Sequence, residues 1–385
     1  MASNTATGVA SSDGNNRILI SDSECDFILS GCRVDCRLDG RKRLEFRPYQ
    51  ILIPGGGNSN EQATSSDDLL PLSHGSARLM GSVGHTSTEE QQILCSVKAE
   101  LVHPSALAPN QGVVELHLHG SSGSRHTKRD LEQAQDILSQ LLVGRLVDTH
   151  ALCITPGEFV WRLAVDVFVL EAAGGCLLDC AARVASAALA ATRLPQVTAQ
   201  PKTNPSSSSG STEAETSEQQ QNQNTLVVDG DYAKSQSIPL PTTTLVGANG
   251  PSTLSSSIVT VAVMQDFDLA TKRPLYSLIV DATLAEEACA LALIHVCVQL
   301  AHCNDDPKAP PTASIVGLHK TQQGALPIHL LPDITNTALE AAASASLAFS
   351  TVQPSPLLEE NRQKQPKPNL STLLQEQLQW VGEET

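Results

Sequence analysis

Apolar and polar residues change their rhythm along this chain, and each change marks an element. From Arg47 to Ile53 they alternate, as in a strand with one covered face. The same pattern predicts strands starting around Gly75-Ser76-Ala77-Arg78-Leu79, from Ile93 to Glu100, and over Val113-Val114-Glu115-Leu116-His117-Leu118-His119. The period then lengthens: Leu131, Ala134, Ile137, Leu138, Leu141 and Leu142 share one face of a helix predicted from Lys128 to Val143. After the turn Thr155-Pro156-Gly157 comes a strand from Trp161 to Leu170. A small-residue helix follows from Leu177 to Ala191, ending before Pro195.

A second half repeats the order. Ile258 to Met264 and Tyr276 to Asp281 read as strands, and Thr283 as the cap of a helix expected to continue to about Leu300. Glu286 and Glu287 sit in its first turn, where the positive end of the helix dipole favours acids. A strand from Ser314 to His319 and a helix from Asn336 to Ala348 complete the unit. Strands first and helices after, twice over, predict an α+β fold rather than a doubly wound sheet.

Between the periodic stretches the chain loses complexity, as in Gly55-Gly56-Gly57, Ser206 to Ser209, and the glutamine-rich run from Glu218 to Gln223. Segments 1–26, 55–72, 200–256 and 356–385 together carry −11 of the formal net charge of −16. Such stretches bury too little to offset an ordering cost of about 1–2 kcal/mol per residue, which predicts disorder there. The expected layout is a disordered N-terminal tail at 1–26 and a first half at 27–199 with an insertion at 55–72. A low-complexity insertion at 200–256 leads to a second half at 257–350 and a C-terminal tail at 351–385.

With 385 residues, 41% hydrophobic but only 3% aromatic, the core has to be built from Ala, Val, Leu and Ile. The acidic balance excludes a uniformly basic nucleic-acid binder. No run of about eighteen apolar residues predicts a membrane span. The opening Met1-Ala2-Ser3-Asn4 lacks the basic and apolar regions of a secretory signal, so a soluble intracellular chain is expected. Ten cysteines form no Cys-x-x-Cys pair and read as small buried hydrophobes of a reducing compartment. Cys32 and Cys36 lie beside Arg33 and Arg37, which would favour a thiolate, but no His/Asn signature accompanies them. Zinc-finger spacing is missing too.

Several residues invite chemistry. His117 and His119 share a strand face with His126 nearby, but without a third ligand at defined spacing they read as exposed strand histidines. Arg125-His126-Thr127-Lys128-Arg129 is a basic cluster before a helix, which alone reads as a solvated loop. Asp266 and Asp268 read as a solvated turn. Asp281 reads as a strand terminus and Glu286 and Glu287 as helix caps, rather than as paired catalytic carboxylates.

Read in order, Arg37-Leu38-Asp39-Gly40-Arg41, Gly75-Ser76-Ala77-Arg78, Gly84-His85-Thr86, Val97-Lys98-Ala99-Glu100 and Pro109-Asn110-Gln111-Gly112 form a recognisable series. Leu152-Cys153-Ile154-Thr155-Pro156, Trp161 to Leu170, Thr192-Arg193-Leu194-Pro195 and Val280-Asp281-Ala282-Thr283-Leu284-Ala285-Glu286-Glu287-Ala288-Cys289 continue it. The series resembles the RNase PH-domain subunits that form the six-membered ring of the RNA exosome, and among them the ribosomal RNA-processing type. The insertions at 55–72 and 200–256 and the Gly81-Ser82-Val83 interruption depart from that pattern.

The resemblance implies an RNase PH-like fold, pairing with other RNase PH-like ring subunits, contact with cap subunits and RNA, and no membrane, cofactor or metal. It also implies a place in the nucleus and nucleolus, and in the cytoplasm. Active members of the family cleave RNA by phosphorolysis and hold phosphate on a Gly-Gly-Thr-Arg loop. Here the loop is Gly174-Gly175-Cys176-Leu177, a degenerate phosphate site without its hydroxyl or guanidinium, so no catalytic residue is expected. The loop equivalent to 125–129 faces the central channel in this family, which makes Arg125, Lys128 and Arg129 the RNA-binding candidates. The leading expectation is a catalytically inactive structural subunit that supports 3′-to-5′ RNA processing and degradation by threading RNA through the ring. The alternative is an active phosphate-dependent 3′-to-5′ exoribonuclease. A small-molecule kinase is disfavoured because Gly55-Gly56-Gly57 has no Lys-Ser/Thr after it.

Overall fold

The computed structural model describes residues 20–53, 73–82, 90–121, 126–172, 174–200, 225–231, 234–238, 241–244, 251–268, 270–302, 312–322 and 324–349. The described chain opens with helix α1 (Asp22–Arg33), whose N-cap Ser21 accepts a hydrogen bond from the Glu24 N–H at 3.3 Å. Its first five residues lie inside the segment expected to be a tail. Ile28, Leu29 and Cys32 form the apolar face that gives this helix something to pack.

The first sheet contains β1 (Tyr49–Leu52), β2 (Gly75–Ser82), β3 (Glu90–Val102), β4 (Val113–Gly120), β5 (Cys153–Thr155) and β6 (Phe159–Ala172), with helix α2 (Lys128–Leu142) between β4 and β5 and α3 (Leu177–Ala191) after β6. Its order is β1-β2-β3-β6-β4, with β5 added to the start of β6. Every pairing is antiparallel except β4 on β6, where Leu116 faces Val165 in a parallel ladder. The connection through α2 makes that parallel pair possible, because parallel neighbours need a crossover. Buried residues alternate along β6, so one face of this sheet is covered and the other is more open.

Two small ribbons follow: β7 (Arg193–Leu194) pairs with β10 (Gln236–Ser237), and β8 (Val197–Gln200) with β9 (Thr225–Val228). The second sheet holds β11 (Thr242–Thr244), β12 (Pro251–Phe267), β13 (Pro274–Val280), β14 (Ala292–His302) and β15 (Thr312–Thr321) in the order β11-β12-β14-β15, with β13 on β12. Helix α4 (Leu284–Cys289), a single 3₁₀ turn (Ile328–Leu330) and α5 (Leu331–Phe349) complete the described elements. Within the expected insertion at 200–256, the runs 225–228, 236–237, 242–244 and the start of β12 are therefore ordered strands. Paired β-branched and apolar residues such as Thr225-Leu226-Val227-Val228 outweigh the polar surroundings there. Residues 1–19, 54–72, 201–224 and 350–385 lie outside the described residues, and so does the expectation of disorder made for them.

The layers explain both the successes and the one large error of the pattern reading. Helices α2 and α3 lie between the sheets, and α5 covers the far face of the second. β12 and β14 are consequently buried on both faces. Ile258, Ala262 and Cys297 face the central helices and α1, while Val259, Val261, Ile294 and Val296 face α5. A strand covered twice has a continuous apolar run instead of alternation. That run disguised Ala292 to Leu300 as the continuation of a helix. The helix ends at Cys289, and the chain turns into β14 because the sheet supplies partners for its backbone.

Helix α3, buried almost all round, is rich in alanine, which lets the two sheets approach closely. The contact is tight enough to require Gly75 on β2. A Cβ there would lie 2.6 Å from Thr192 Cα and 2.7 Å from the Ala188 carbonyl oxygen.

Candidate functional site

The chain's two halves are joined by a buried ion cluster built on Asp281, the residue that follows β13. Arg47 reaches it with Nε at 2.9 Å, Nη2 at 2.5 Å and its backbone N–H at 2.7 Å. Arg41 Nη1 donates to it at 2.9 Å and the Tyr49 hydroxyl at 2.8 Å. Beside it, Arg37 grips Glu286 with two donors, Nε at 2.8 Å and Nη2 at 2.5 Å, and gives its remaining donors to the carbonyls of Val280 and Asp281. Burial alone would raise the Asp281 carboxyl, but the hydrogen bonds and charge of Arg47, with the charge of Arg41, hold it well below the usual carboxylate range. The arginine-rich stretch is thus occupied by internal acids. Thr283 and Glu286 form a reciprocal capping box that starts α4 and aims its acids back at the junction. Asp281 as strand terminus and Glu286 as cap are as the pattern read them; their three arginine partners were not foreseen.

The degenerate loop lies against this cluster. Arg47 Nη1 donates to the Gly174 carbonyl, and Gln91 Nε2 to the Gly175 carbonyl at 3.1 Å. Gly175 has φ +81°, and a Cβ there would lie 2.6 Å from the Ala282 carbonyl oxygen, so only glycine fits between the halves. Cys176, also left-handed at φ 50°, is the N-cap of α3 but caps nothing with its side chain. Its backbone N–H, a donor that an anion would use, gives its hydrogen bond to Glu287 Oε1 of α4 at 2.6 Å. Leu177 turns into the main core instead of offering a charge.

Electrostatics agree with that geometry. Desolvation of the inward-turned carboxyl pushes Glu287 up to about 7, against the Cys176 hydrogen bond and the Arg47 charge, with Asp179 and Asp281 adding to the rise. Asp179, in the first turn of α3, is pushed up to about 6 by burial, against the Arg183 charge and two hydrogen bonds from Thr260. A site poised to take phosphate would hold neighbouring carboxyls down. Both carboxyls are raised first by burial and only then by neighbouring acids, so this helix start is desolvated and already holds acceptors of its own. Glu287 was read from the pattern only as a helix cap. Its position beside Cys176, 111 residues away in sequence, is set by the fold.

The other candidates fall elsewhere. Asp266 pairs with Arg33 of α1 at 3.1 Å, and Asp268 accepts from Ala270 N–H and the Thr271 hydroxyl within its own turn. His119 stacks on Phe168 with ring centroids 5.1 Å apart and has Nε2 3.4 Å from Asp166 Oδ1. Among the described residues no group of three His, Cys, Asp or Glu could hold a metal ion, and no helix is long and apolar enough to cross a membrane. Arg125 lies outside the described residues. Lys128 and Arg129 are exposed on the first turn of α2, which Thr127 and Asp130 start with a capping box. The structure places them on a different helix from the loop at 174–177.

Two strand-and-helix halves, with the central helices held between their sheets, make an RNase PH-like fold. The sequence pattern of the RNase PH family, described as "3′ exoribonuclease family, domain 1", matches residues 63–195. Its curated relatives include the exosome complex component Rrp42 of Sulfurisphaera tokodaii, 30% identical over 190 residues, which are 48% of this chain and 61% of that protein. The exosome complex component RRP45 of Danio rerio is 29% identical over 188 residues, covering 47% of this chain and 42% of the relative. The matches thus span less than two thirds of either relative. An Archaeoglobus fulgidus exosome structure with RNA bound to its active site superposes with a TM-score of 0.53 at 19% identity, over 85% of this chain and 98% of that one. An archaeal exosome core gives 0.50 at 17% identity over 86% and 96%. At those identities the superpositions speak for the fold. The domain match and the relatives named as exosome components bear out the family resemblance read from the motifs.

Proposed function

We propose that this chain is a catalytically silent subunit of an exosome-type ring, which supports 3′-to-5′ RNA processing by helping to thread RNA toward another nuclease. Relatives named as exosome components support the assembly. The observation that carries the silence is the Cys176 N–H bonded to Glu287, with Leu177 where a cation would be required. Phosphate brings between one and two negative charges at neutral pH, and an apolar side chain and a carboxyl offer them no compensation. The partners in this reading are the other RNase PH-like ring subunits, cap subunits and RNA, and the setting is the nucleus and nucleolus as well as the cytoplasm. Lys128 and Arg129, with Arg125, are the residues proposed to meet RNA. Two cations at the positive end of a helix work against the dipole, and the exposed Lys128–Glu132 pair offsets little of that.

The purified full chain, and a ring assembled by co-expression, should be assayed for release of nucleoside diphosphates from single-stranded RNA in inorganic phosphate. The isolated chain should release none. Phosphate-dependent release abolished by Asp266→Asn or Asp268→Asn would establish the active alternative instead.

A further inference from the structure

A second chain of polar groups runs from the start of α3 through the second sheet. Asp179, Thr260 and His295 are buried, and Thr321, at the end of β15, is partly exposed. Thr260 on β12 faces His295 on β14 in register, and Thr321 faces Leu293. Asp179 Oδ2 accepts the Thr260 backbone N–H at 2.8 Å, and Oδ1 meets the Thr260 hydroxyl. The Thr260 hydroxyl oxygen lies 2.8 Å from His295 Nδ1, and His295 Nε2 lies 2.9 Å from the Thr321 hydroxyl. That last hydroxyl is also 3.5 Å from the Leu293 carbonyl oxygen. Each hydroxyl has one proton to give and a neutral imidazole one, so the chain can be filled in two ways. With Asp179 ionised, Thr260 donates to Oδ1, His295 Nδ1–H donates to Thr260, and Thr321 donates to Nε2. With Asp179 protonated, every donor reverses. The acid proton belongs on Oδ1, because Oδ2 already accepts the backbone N–H. Thr260 then donates to Nδ1, His295 Nε2–H donates to Thr321, and Thr321 turns to the Leu293 carbonyl.

We propose that these four side chains form a proton relay between β15 and the buried start of α3, in which protonation of Asp179 switches His295 from its Nδ1–H to its Nε2–H tautomer. The transfer balances with one proton from water at Thr321. Thr321 passes its own proton to Nε2 and takes one from water, Nδ1 passes its proton to Thr260, and Thr260 passes its proton to Asp179. One proton is taken up and no electron moves. Asp179 is only 2% exposed, and the relay joins it to solvent. Burial and the charge of Asp281 favour the protonated acid, against Arg183 and the Thr260 hydrogen bonds, and lift it to about 6. Cys176 and Glu287 are the other titratable groups beside it. Burial, with His319 opposite on β15, holds the His295 imidazole down to about 3, so the proton rests on the carboxyl and the ring stays neutral. The state of an acid beside the degenerate loop is thereby passed to a hydrogen bond between β14 and β15.

The full chain, labelled with ¹⁵N-histidine, should be titrated from pH 8 to pH 5 while its ring nitrogens are followed by long-range ¹H–¹⁵N NMR. Loss of one set of signals in His295→Gln assigns His295. The expected result is an Nδ1–H tautomer at pH 8 and an Nε2–H tautomer at pH 5, exchanging at about pH 6. Asp179→Asn should show the Nε2–H tautomer at every pH. Its carboxamide oxygen keeps the Thr260 N–H, which leaves the amide nitrogen to donate to the Thr260 hydroxyl. Thr260→Val removes the middle of the relay and should abolish the exchange. Glu287→Gln should keep it, which separates this titration from that of Glu287. Melting curves check that the variants are folded, and the wild-type titration decides the matter without them. A single His295 tautomer throughout, a doubly protonated ring at pH 5, an Nδ1–H tautomer in Asp179→Asn, or loss of the exchange in Glu287→Gln would overturn the proposal.

Discussion

The cations between 37 and 47 and those that begin α2 have similar composition and different surroundings. Arg37, Arg41 and Arg47 are 3%, 9% and 4% exposed, whereas the Lys128 side chain is 91% exposed and its recorded ion pair is an i,i+4 contact with Glu132 at 3.7 Å. Arg37, Arg41 and Arg47 meet acids that lie 234 to 249 residues away in sequence, Arg41 holding its neighbour Asp39 as well, whereas Lys128 meets a glutamate one turn along the same helix. Buried pairs are strongly coupled because neither member can turn to water. Exposed pairs are worth little because both can. A basic cluster in a sequence therefore says nothing about its role until the location of the matching acids is known. In this chain one cluster holds the fold together and the other stays exposed at a helix start.

Removing the common acceptor tests the buried side of that contrast. Asp281→Ala strands Arg41 and Arg47 in the junction and should cost about 3–5 kcal/mol in urea or thermal unfolding. A loss under about 1 kcal/mol, as for exposed charges, would erase the distinction between the clusters. Because the Asp281 carboxyl is held below its ordinary value, its contribution is present at neutral pH and is lost as pH falls below about 4 and on through the lowered folded value.

The buried acids should show a contrast in pH dependence. Glu287 goes the other way, from an ordinary 4.5 to about 7 in the fold. The unfolded chain then ionises first, so stability supplied by the protonated carboxyl below about 4.5 is lost as pH rises toward 7. Glu287→Gln keeps an acceptor for the Cys176 N–H and removes that titration. Compared with wild type, it should flatten the decline in stability between pH 5 and pH 8 by about 2–3 kcal/mol. Equal pH slopes for the two proteins would show that Glu287 is ionised throughout.

The smallest effect on stability belongs to the exposed cluster. Lys128→Glu with Arg129→Glu should change unfolding free energy by no more than about 0.5 kcal/mol, because acids suit the start of a helix and no buried partner is lost. In an assembled ring the same double variant should weaken RNA retention most at low salt and lower the slope of log affinity against log salt by about 1–2. Unchanged RNA binding at every salt concentration would leave this helix start with no role in recognition.

How far the sequence could be read follows from the kind of contact each region makes. Helix α2, with one face on the core, was legible to within a residue of its observed end. So was α3, because Gly174-Gly175 before it and Pro195 after it punctuate the chain. The alternating strands of the first sheet were found with frayed ends, since period 2 is visible only while one face is covered. β14 was taken for helix because it is covered on both. α1 was missed because its short apolar face, Ile28, Leu29 and Cys32, follows a polar tail and is defined by what it packs against. At the candidate site, the loss of hydroxyl and guanidinium in Gly174-Gly175-Cys176-Leu177 could be read directly. The carboxyl that took up the vacated donor could not.

By itself, the sequence determined the α+β order of elements, the aliphatic core, the family resemblance and the altered loop, because each is carried by neighbouring residues or short motifs whose chemistry is local. Only the tertiary structure decided that the arginines at 37, 41 and 47 are internal ligands of Asp281 and Glu286 and that Glu287 fills the start of α3. Those outcomes depend on burial and on pairs more than a hundred residues apart. The energy of a charge is set by the atoms the fold brings around it, and neighbours in sequence do not record them.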